Sequence, residues 1–429
     1  MSTDLRSVYR TILDDPFPRT LEITLGTQRL SLRKRTWKTA EEGKAVEHGL
    51  RYGDNPGQPA ALYELAESTL DVPGAALIRP GLGLASSIAE EQILSFGKHP
   101  GKTNLTDLDS AVLILRYLAD APACAIMKHN NPCGVARADD VLTAVRNAYW
   151  GDPLAAFGGC VAVNRPLTRE AAEFLAEVFI EVIACPDYEE GALAALERKQ
   201  NLRIFKLPRL GALEALADLR CLQLTSLIDG GLIVQLSLAN PIKGPRDFLP
   251  AVCESKGVTH KAAREPTPRE YRDLVFAWAV EQGVISNSVL FAKNDATVSV
   301  GAGGQDRVGV VKQAIAKAFD RERDRLALAR RKKLFFELEL AAARGEMPRA
   351  EVEAIIAEAG ERGGGLRGSV LASDAFFPRR DGVDLAIAAG VSAICHPGGS
   401  VRDWESIQAV NEADPQVAMV FTGQRAFRH

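Results

Sequence analysis

Two basic side chains stand side by side at Lys128 and His129. They sit where the apolar run Ala123–Met127 gives out and the turn-forming part of "MKHNNPCGVA" begins. Neighbours in a strand point to opposite faces, but at a strand end entering an Asn-Asn-Pro turn both can converge on one pocket. A histidine exchanges a proton near neutral pH, and an ammonium stabilises developing negative charge, so the pair suits a base beside a charge stabiliser. The same dipeptide also suits a basic turn with a solvated lysine and a hydrogen-bonded histidine. A metal is the third possibility. Zinc deaminases combine His-x-Glu with a later Pro-Cys-x-x-Cys; Pro132 and Cys133 begin such a motif, but Ala136 holds the second cysteine's place and Asn130 and Asn131 follow His129. The six histidines show no ligand spacing, so no catalytic metal is expected.

Three further stretches could meet a ligand. "GAGGQDRVG", Gly301 to Gly309, has Asp306 where a dinucleotide fingerprint needs its third glycine, and no Gly-Lys-Ser/Thr closes it as a phosphate loop. It is either a strand-to-helix turn or a loop whose backbone lies close to a ligand. "SDAFFPRRDGVD" sets Phe376 and Phe377 in a charged loop with Asp374, Pro378 and Asp381; the rings are either core or a ledge for a flat ligand. Arg51 in "RYGDNPGQ" and Arg425 in "TGQRAFRH" carry the planar fork that fits phosphate oxygens, with surface solvation as the plainer role of each.

The elements that must position these residues follow from periodicity. Residues 20–34 alternate and break at "GTQ", which predicts a hairpin. From Asn104 onward, apolar strands ("ACAIM", "GGCVAV", "IEVIAC", "LRIFKL") alternate with helical stretches, the pattern of a layered α/β sheet. Thr106 or Asp107, Asp139 or Asp140, and Thr168 are the expected helix caps. The proline bearing Pro132 and the glycine Gly134 are expected to bend the strand end carrying Lys128 and His129. Past residue 206 come paired strands at "CLQLTSLIDGGLIVQLSL" and a capping box at Thr267-Pro268-Arg269-Glu270. Further strands are "VISNSVLFA" and "ATVSVGAG", and a charged helical stretch over 308–366 turns near Gly345. A second unit is expected to begin after about residue 206, dividing the chain into 1–205 and 206–429, with 308–366 as a helical insertion; both halves show the same alternation, which is compatible with a duplicated α/β fold but does not demonstrate one.

The chain has 429 residues, is 46% hydrophobic and 25% charged, and carries a net charge of −3. Such a length supports two domains, and such a charge gives no reason to expect a nucleic-acid or membrane surface. No apolar run is long enough for a transmembrane helix. The polar N-terminus and seven cysteines without a Cys-x-x-Cys pair suggest a reducing, cytoplasmic setting.

Taken in order, "RYGDNPGQPAALYE", "GKHPGKTNLTDLDSA", "MKHNNPCGVA", "DPLAAFGGCVAVNRPLT", "IEVIACPDYEEGAL", "ISNSVLFAKN", "GAGGQDR", "GSVLASDAFFPRRDGVD" and "TGQRAFRH" resemble the transformylase domain of the bifunctional purine-biosynthesis enzymes. That family formylates aminoimidazole carboxamide ribotide (AICAR) with 10-formyltetrahydrofolate. The resemblance runs from about residue 50 to 429, apart from the charged helices. It implies two cytidine-deaminase-like α/β subdomains without the zinc, and a homodimer with active sites at the subunit interface. It implies Lys128 as transition-state stabiliser and His129 as proton acceptor. Arg51, Tyr52, Asn104 and Arg425 match ribotide and phosphate contacts, Phe157, Gly158 and Glu181 line the substrate pocket, and Asn287 holds the carboxamide. Arg307, Val308, Phe376, Pro378, Asp381, Ser400 and Val401 fall at nucleotide or folate positions. Gly57 departs from the family's histidine there. The roughly fifty residues before "RYG" are too few for the family's cyclohydrolase domain, so a separate protein is expected to close the ring to inosine monophosphate. A transferase using another formyl donor or ribotide, or a non-catalytic ribotide-binding protein, is the alternative.

Overall fold

The structure is a computed structural model that describes residues 11–41 and 44–429. An antiparallel sheet comes first, made of β1 (Thr20–Leu25), β2 (Gln28–Arg35) and, beyond the hairpin of β3 (Trp37–Glu41) and β4 (Lys44–His48), β5 (Leu62–Ser68). The predicted hairpin is β1–β2, and it turns at Gly26, whose φ of +62° glycine adopts freely. Next come β6 (Ile93–Ser95) and helix α1 (Lys102–Leu115). Helix α1 starts a turn earlier than expected, because the Asn104 side chain accepts the Gly101 N–H; Thr106 and Asp107 therefore lie inside it.

Two runs of elements then repeat. The first is β7 (Ala123–Lys128), β8 (Asn131–Arg137), α2 (Val141–Tyr149), β9 (Gly159–Val163), α3 (Arg169–Glu177), β10 (Ile180–Cys185), α4 (Ala192–Leu196) and β11 (Arg203–Lys206). After the hairpin β12 (Leu222–Ser226)–β13 (Leu232–Leu236) and the short strands β14 (Leu249–Pro250), β15 (Val252–Ser255) and β16 (Val258–Lys261), helix α5 (Pro268–Glu281) opens the second. It holds β17 (Val289–Lys293), β18 (Ala296–Gly301), α6 (Arg307–Arg331), α7 (Phe335–Ala343), α8 (Arg349–Glu361), β19 (Val370–Ser373), α9 (Asp381–Ala388), β20 (Ala393–His396), α10 (Asp403–Glu412) and β21 (Ala418–Phe421). Each run follows a helix, begins with an antiparallel hairpin and continues through helices to three strands. In the first, β11 pairs parallel with β10 and antiparallel with β6; in the second, β21 pairs parallel with β20 and antiparallel with β14. Both hairpins turn on two left-handed residues, His129–Asn130 and Asn294–Asp295.

By packing, the chain forms two compact units whose boundaries differ from a cut at 205/206. The first comprises residues 1–112 and 160–239 and holds the strand order β9-β10-β11-β6. The second comprises 113–159 and 240–429 and holds β14-β21-β20-β19-β17-β18-β8-β7. The second unit's core is aliphatic and aromatic, with Val289, Phe291, Leu371, Phe377 and Ile394 fully enclosed. Caps are where side-chain chemistry predicts them: Asp140 and Thr168 accept N–H bonds at α2 and α3, and Thr267 and Glu270 exchange bonds at α5.

The charged segment is three helices rather than a hairpin. Helix α6 ends at Lys332 in the left-handed region, and Gly345 turns the chain between α7 and α8. Its first half also belongs to the main core, where Val310, Val311, Ala314 and Ala318 are buried. Only beyond them does a separate small core form, from Leu326, Phe335, Leu338, Val352 and Ile355.

Candidate functional site

Strand β7 is buried from Ala123 to Met127, with Lys128 half-buried and His129 exposed. His129 and Asn130 are themselves the turn, at φ of 53° and 61°. That is the two-residue hairpin geometry that glycine and asparagine adopt most readily. The bend therefore does not come from Pro132 or Gly134. Both lie in β8, where Gly134 has no room for a Cβ: one would fall 2.0 Å from the Ala148 carbonyl oxygen. Lys128 Nζ donates to the Phe157 carbonyl at 2.6 Å, which joins Lys128 to the Phe157–Gly158 turn. Phe157 is exposed and Gly158 has φ +78°.

The Asn287 region is a buried polar network. Asn287 Nδ2 donates to the Gly304 carbonyl at 2.9 Å, and Oδ1 accepts from Arg307 Nη2 at 2.9 Å. Arg307 is buried and also donates to Asp374 at 2.5 Å, to the Ser288 carbonyl and to the Ser373 hydroxyl. Asp374, wholly enclosed, further accepts from the Ser286 hydroxyl at 2.6 Å and the Ser288 N–H at 3.1 Å. The guanidinium is thus committed inside the protein, where it fixes the amide of Asn287. Val308 follows it in the first turn of α6.

Beside this network Glu281 is fully buried and accepts from the Ser288 hydroxyl at 2.9 Å. Burial pushes its carboxyl well above the usual 4.5, helped by the nearby Asp374 charge. A folded-state value above the unfolded one means that the folded protein holds the extra proton, so this group's contribution falls as pH rises from about 4.5 toward the folded value. Glu281→Gln keeps the acceptor for Ser288 and abolishes the titration. Its urea midpoint is expected to decline less than that of the wild type between about pH 5 and 8; parallel pH curves for the two proteins would contradict this.

The aromatic ledge divides. Phe377 is core, edge-on to the buried His396, and only Phe376 reaches the surface, under the Arg425 guanidinium at 4.8 Å. Pro378 and Asp381 are exposed beside it at the start of α9. Ser400 and the almost fully exposed Val401 occupy the loop before α10, where Asp403 accepts the Gly399 and Ser400 N–H groups.

In the first unit Arg51 is buried, lies over the Tyr52 ring at 4.5 Å and donates to its hydroxyl. The Tyr52 carbonyl accepts the Lys102 N–H at the start of α1. Asn104 Nδ2 donates to Glu181 at 3.2 Å, and Glu181 in turn accepts from Arg203. Arg203 is buried enough that desolvation lowers its guanidinium to about 10. Two buried arginines and a helix N-terminus against one carboxylate suit a phosphate. Arg203, Glu281 and Ser286 are candidate site residues that the sequence reading did not single out; Asp374 was read only as a charge flanking the aromatic ledge, and its place directly after the apolar strand "VLAS" was a signal of its burial.

Among the described residues no group of histidine, cysteine and carboxylate side chains could hold a metal ion, and no helix is long and apolar enough to cross a membrane.

The class these features define is an α/β protein with a repeated strand–helix run whose reactive and polar side chains gather at strand ends, the usual place for ligands in such sheets. Residues 24–317 match the family described as AICARFT/IMPCHase bienzyme, and the chain belongs to that family. It is similar to the bifunctional purine biosynthesis protein PurH of Caldicellulosiruptor saccharolyticus, at 35% identity over 381 residues, and to those of Persephonella marina, at 38% over 384, and Aquifex aeolicus, at 36% over 380. Each comparison covers 89% of this chain and 59% of the relative, so the chain spans about three-fifths of the length of these relatives.

Proposed function

We propose that the chain transfers the formyl group of 10-formyltetrahydrofolate to the 5-amino group of AICAR in purine biosynthesis. The observation that carries the reading is the Lys128–His129 pair set at a strand end by a left-handed turn, in a chain of this family. The amine is a weak nucleophile because its lone pair is delocalised into the ring and carboxamide. Its attack on the formyl carbon forms a C–N bond and an oxyanion. His129 takes the amine proton, Lys128 stabilises the oxyanion, and collapse expels the folate nitrogen, which takes a proton relayed by Lys128, itself reprotonated by the imidazolium. Asn287, held by Arg307, orients the carboxamide. Arg51, Tyr52, Asn104 and Glu181 serve the ribotide, as do Phe376 and Arg425. Phe157 and Gly158 line the pocket, and Val308, Pro378, Asp381, Ser400 and Val401 serve the folate. No metal takes part. The repeated runs of elements support the reading of two cytidine-deaminase-like subdomains. Release of tetrahydrofolate by the purified chain, dependent on AICAR, tests the proposal; no release with both substrates present would falsify it. Inosine monophosphate among the products would assign ring closure to the same protein, against the expectation of a separate cyclohydrolase.

The proposed assembly is a homodimer working in the cytoplasm. Its support is the β12–β13 hairpin, on which Leu224, Leu227, Ile228, Leu232, Ile233 and Val234 are all exposed. A two-stranded hairpin is marginal alone in water, and a second copy would cover these side chains. Light scattering is expected to give twice the chain mass, and Ile228→Asp to shift the protein toward monomer. A wild-type monomer would dispose of this assembly.

A further inference from the structure

Arg428 joins two parts of the site proposed above. Its Nη1 donates to the Asn130 carbonyl and to the Gly283 carbonyl, both at 2.8 Å. One guanidinium nitrogen thus ties the left-handed His129–Asn130 turn to the segment that follows α5. Its backbone holds the next stretch of that segment: Arg428 N–H donates to the Ser286 hydroxyl at 3.1 Å, and its carbonyl accepts the Ser286 N–H at 2.9 Å. The Ser286 hydroxyl passes the connection to Asp374, which pairs with Arg307, which holds Asn287. A second tie runs alongside, from the Ile285 N–H to Asn131 Oδ1 at 3.0 Å.

Two consecutive left-handed positions are unfavourable for residues other than glycine, and although histidine and asparagine adopt them more readily than most, such a pair still needs holding. His129 is exposed, so the turn's geometry depends on what grips the backbone beside it, and the bond from Arg428 to the Asn130 carbonyl is one such grip. We propose that Arg428 is a positioning residue, which fastens the turn bearing His129 to the segment bearing Asn287 so that imidazole and amide meet one ribotide at a fixed spacing. The inference rests on the formyl-transfer reading for its ligand, but the clamp itself is independent of it. Lysine, one bond shorter, places its ammonium about where the guanidinium carbon lies and reaches the two carbonyls less well, and alanine reaches neither.

The experiment compares the wild type with Arg428→Ala and Arg428→Lys. Histidine-labelled protein is observed by NMR, with the His129 signal assigned by its loss in His129→Asn. Formyl transfer is measured at saturating substrates, and AICAR binding by calorimetry. In Arg428→Ala the His129 signal should shift or broaden, and kcat should fall about tenfold to a hundredfold, the scale of an ångström's misplacement. The AICAR Kd should stay within about threefold, because no ribotide contact is removed. Added guanidinium should restore part of the turnover, and Arg428→Lys should fall between. A wild-type His129 signal and wild-type kcat in Arg428→Ala would overturn the proposal. If that variant fails to fold, the same result in Arg428→Lys would overturn it. Absence of turnover in the wild type would refute the formyl-transfer reading and leave the clamp to be decided by the His129 signal.

Discussion

His129→Asn is expected to lower the turnover of formyl transfer by about 10²–10⁴-fold, the contribution of a positioned acid–base group, while the protein remains folded. Asparagine is the substitution that isolates the chemistry. It accepts the left-handed backbone at φ 53° more readily than alanine does, so the hairpin survives. The ring is exposed, and its loss empties no core space. Steady-state kinetics at saturating substrates, with thermal melts of both proteins, check the prediction. Unchanged kcat would remove His129 from the mechanism. Lys128→Ala should also lower kcat, and combining the two should cost less than the sum, since groups acting on one transition state are not independent. His129→Ala, by contrast, should mix a chemical with a conformational loss, because it places a Cβ-bearing residue without a local hydrogen-bonding side chain at a positive φ.

The largest effect on stability is expected at Asp374. Asp374→Ala leaves the buried Arg307 guanidinium without its carboxylate and removes the acceptor for the Ser286 hydroxyl and the Ser288 N–H. Breaking a buried pair in this way costs about 3–5 kcal/mol, readable as a lower urea midpoint. Arg307→Met should cost less, because the carboxylate keeps the two donors from Ser286 and Ser288 and the aliphatic chain fills much of the volume. Arg307→Met removes one bond to the Asn287 amide and Asp374→Ala loosens the guanidinium that makes it, so both should raise the KM for AICAR. Equal stability of Asp374→Ala and the wild type would show that the pair is not needed to hold this region together.

The elements that were legible in the sequence are those set by local chemistry. Apolar runs became β7, β9, β10 and β11, and Asp140, Thr168 and the Thr267–Glu270 box capped the helices they precede. The Lys128–His129 pair was legible as a candidate from residue type together with the family resemblance of the stretches around it. Its conformation was not, because Pro132 and Gly134 look like benders, yet both sit in the ladder of β8 against Met127 and Ile126, and residue type does not show that the turn falls on His129 and Asn130. For the same reason the two adjacent phenylalanines could not be told apart before the sheet showed which one faces inward. Arg307 read as a ligand contact; its partner Asp374 lies 67 residues away, and no local pattern announces such a pairing. Arg428 and Asn130 are 298 residues apart.

That last separation bears on the order in which the chain becomes ordered. The β7–β8 hairpin needs only its own fifteen or so residues and can close in about 1–10 μs. Its clamp must wait for a contact spanning 298 residues, whose closure entropy is met only once the intervening sheet has condensed. The turn bearing His129 can therefore close early, though only transiently as an isolated two-stranded hairpin, and is among the last to be held still. Between those two moments it is a loose β-hairpin, with its histidine already on the outside and its geometry not yet decided.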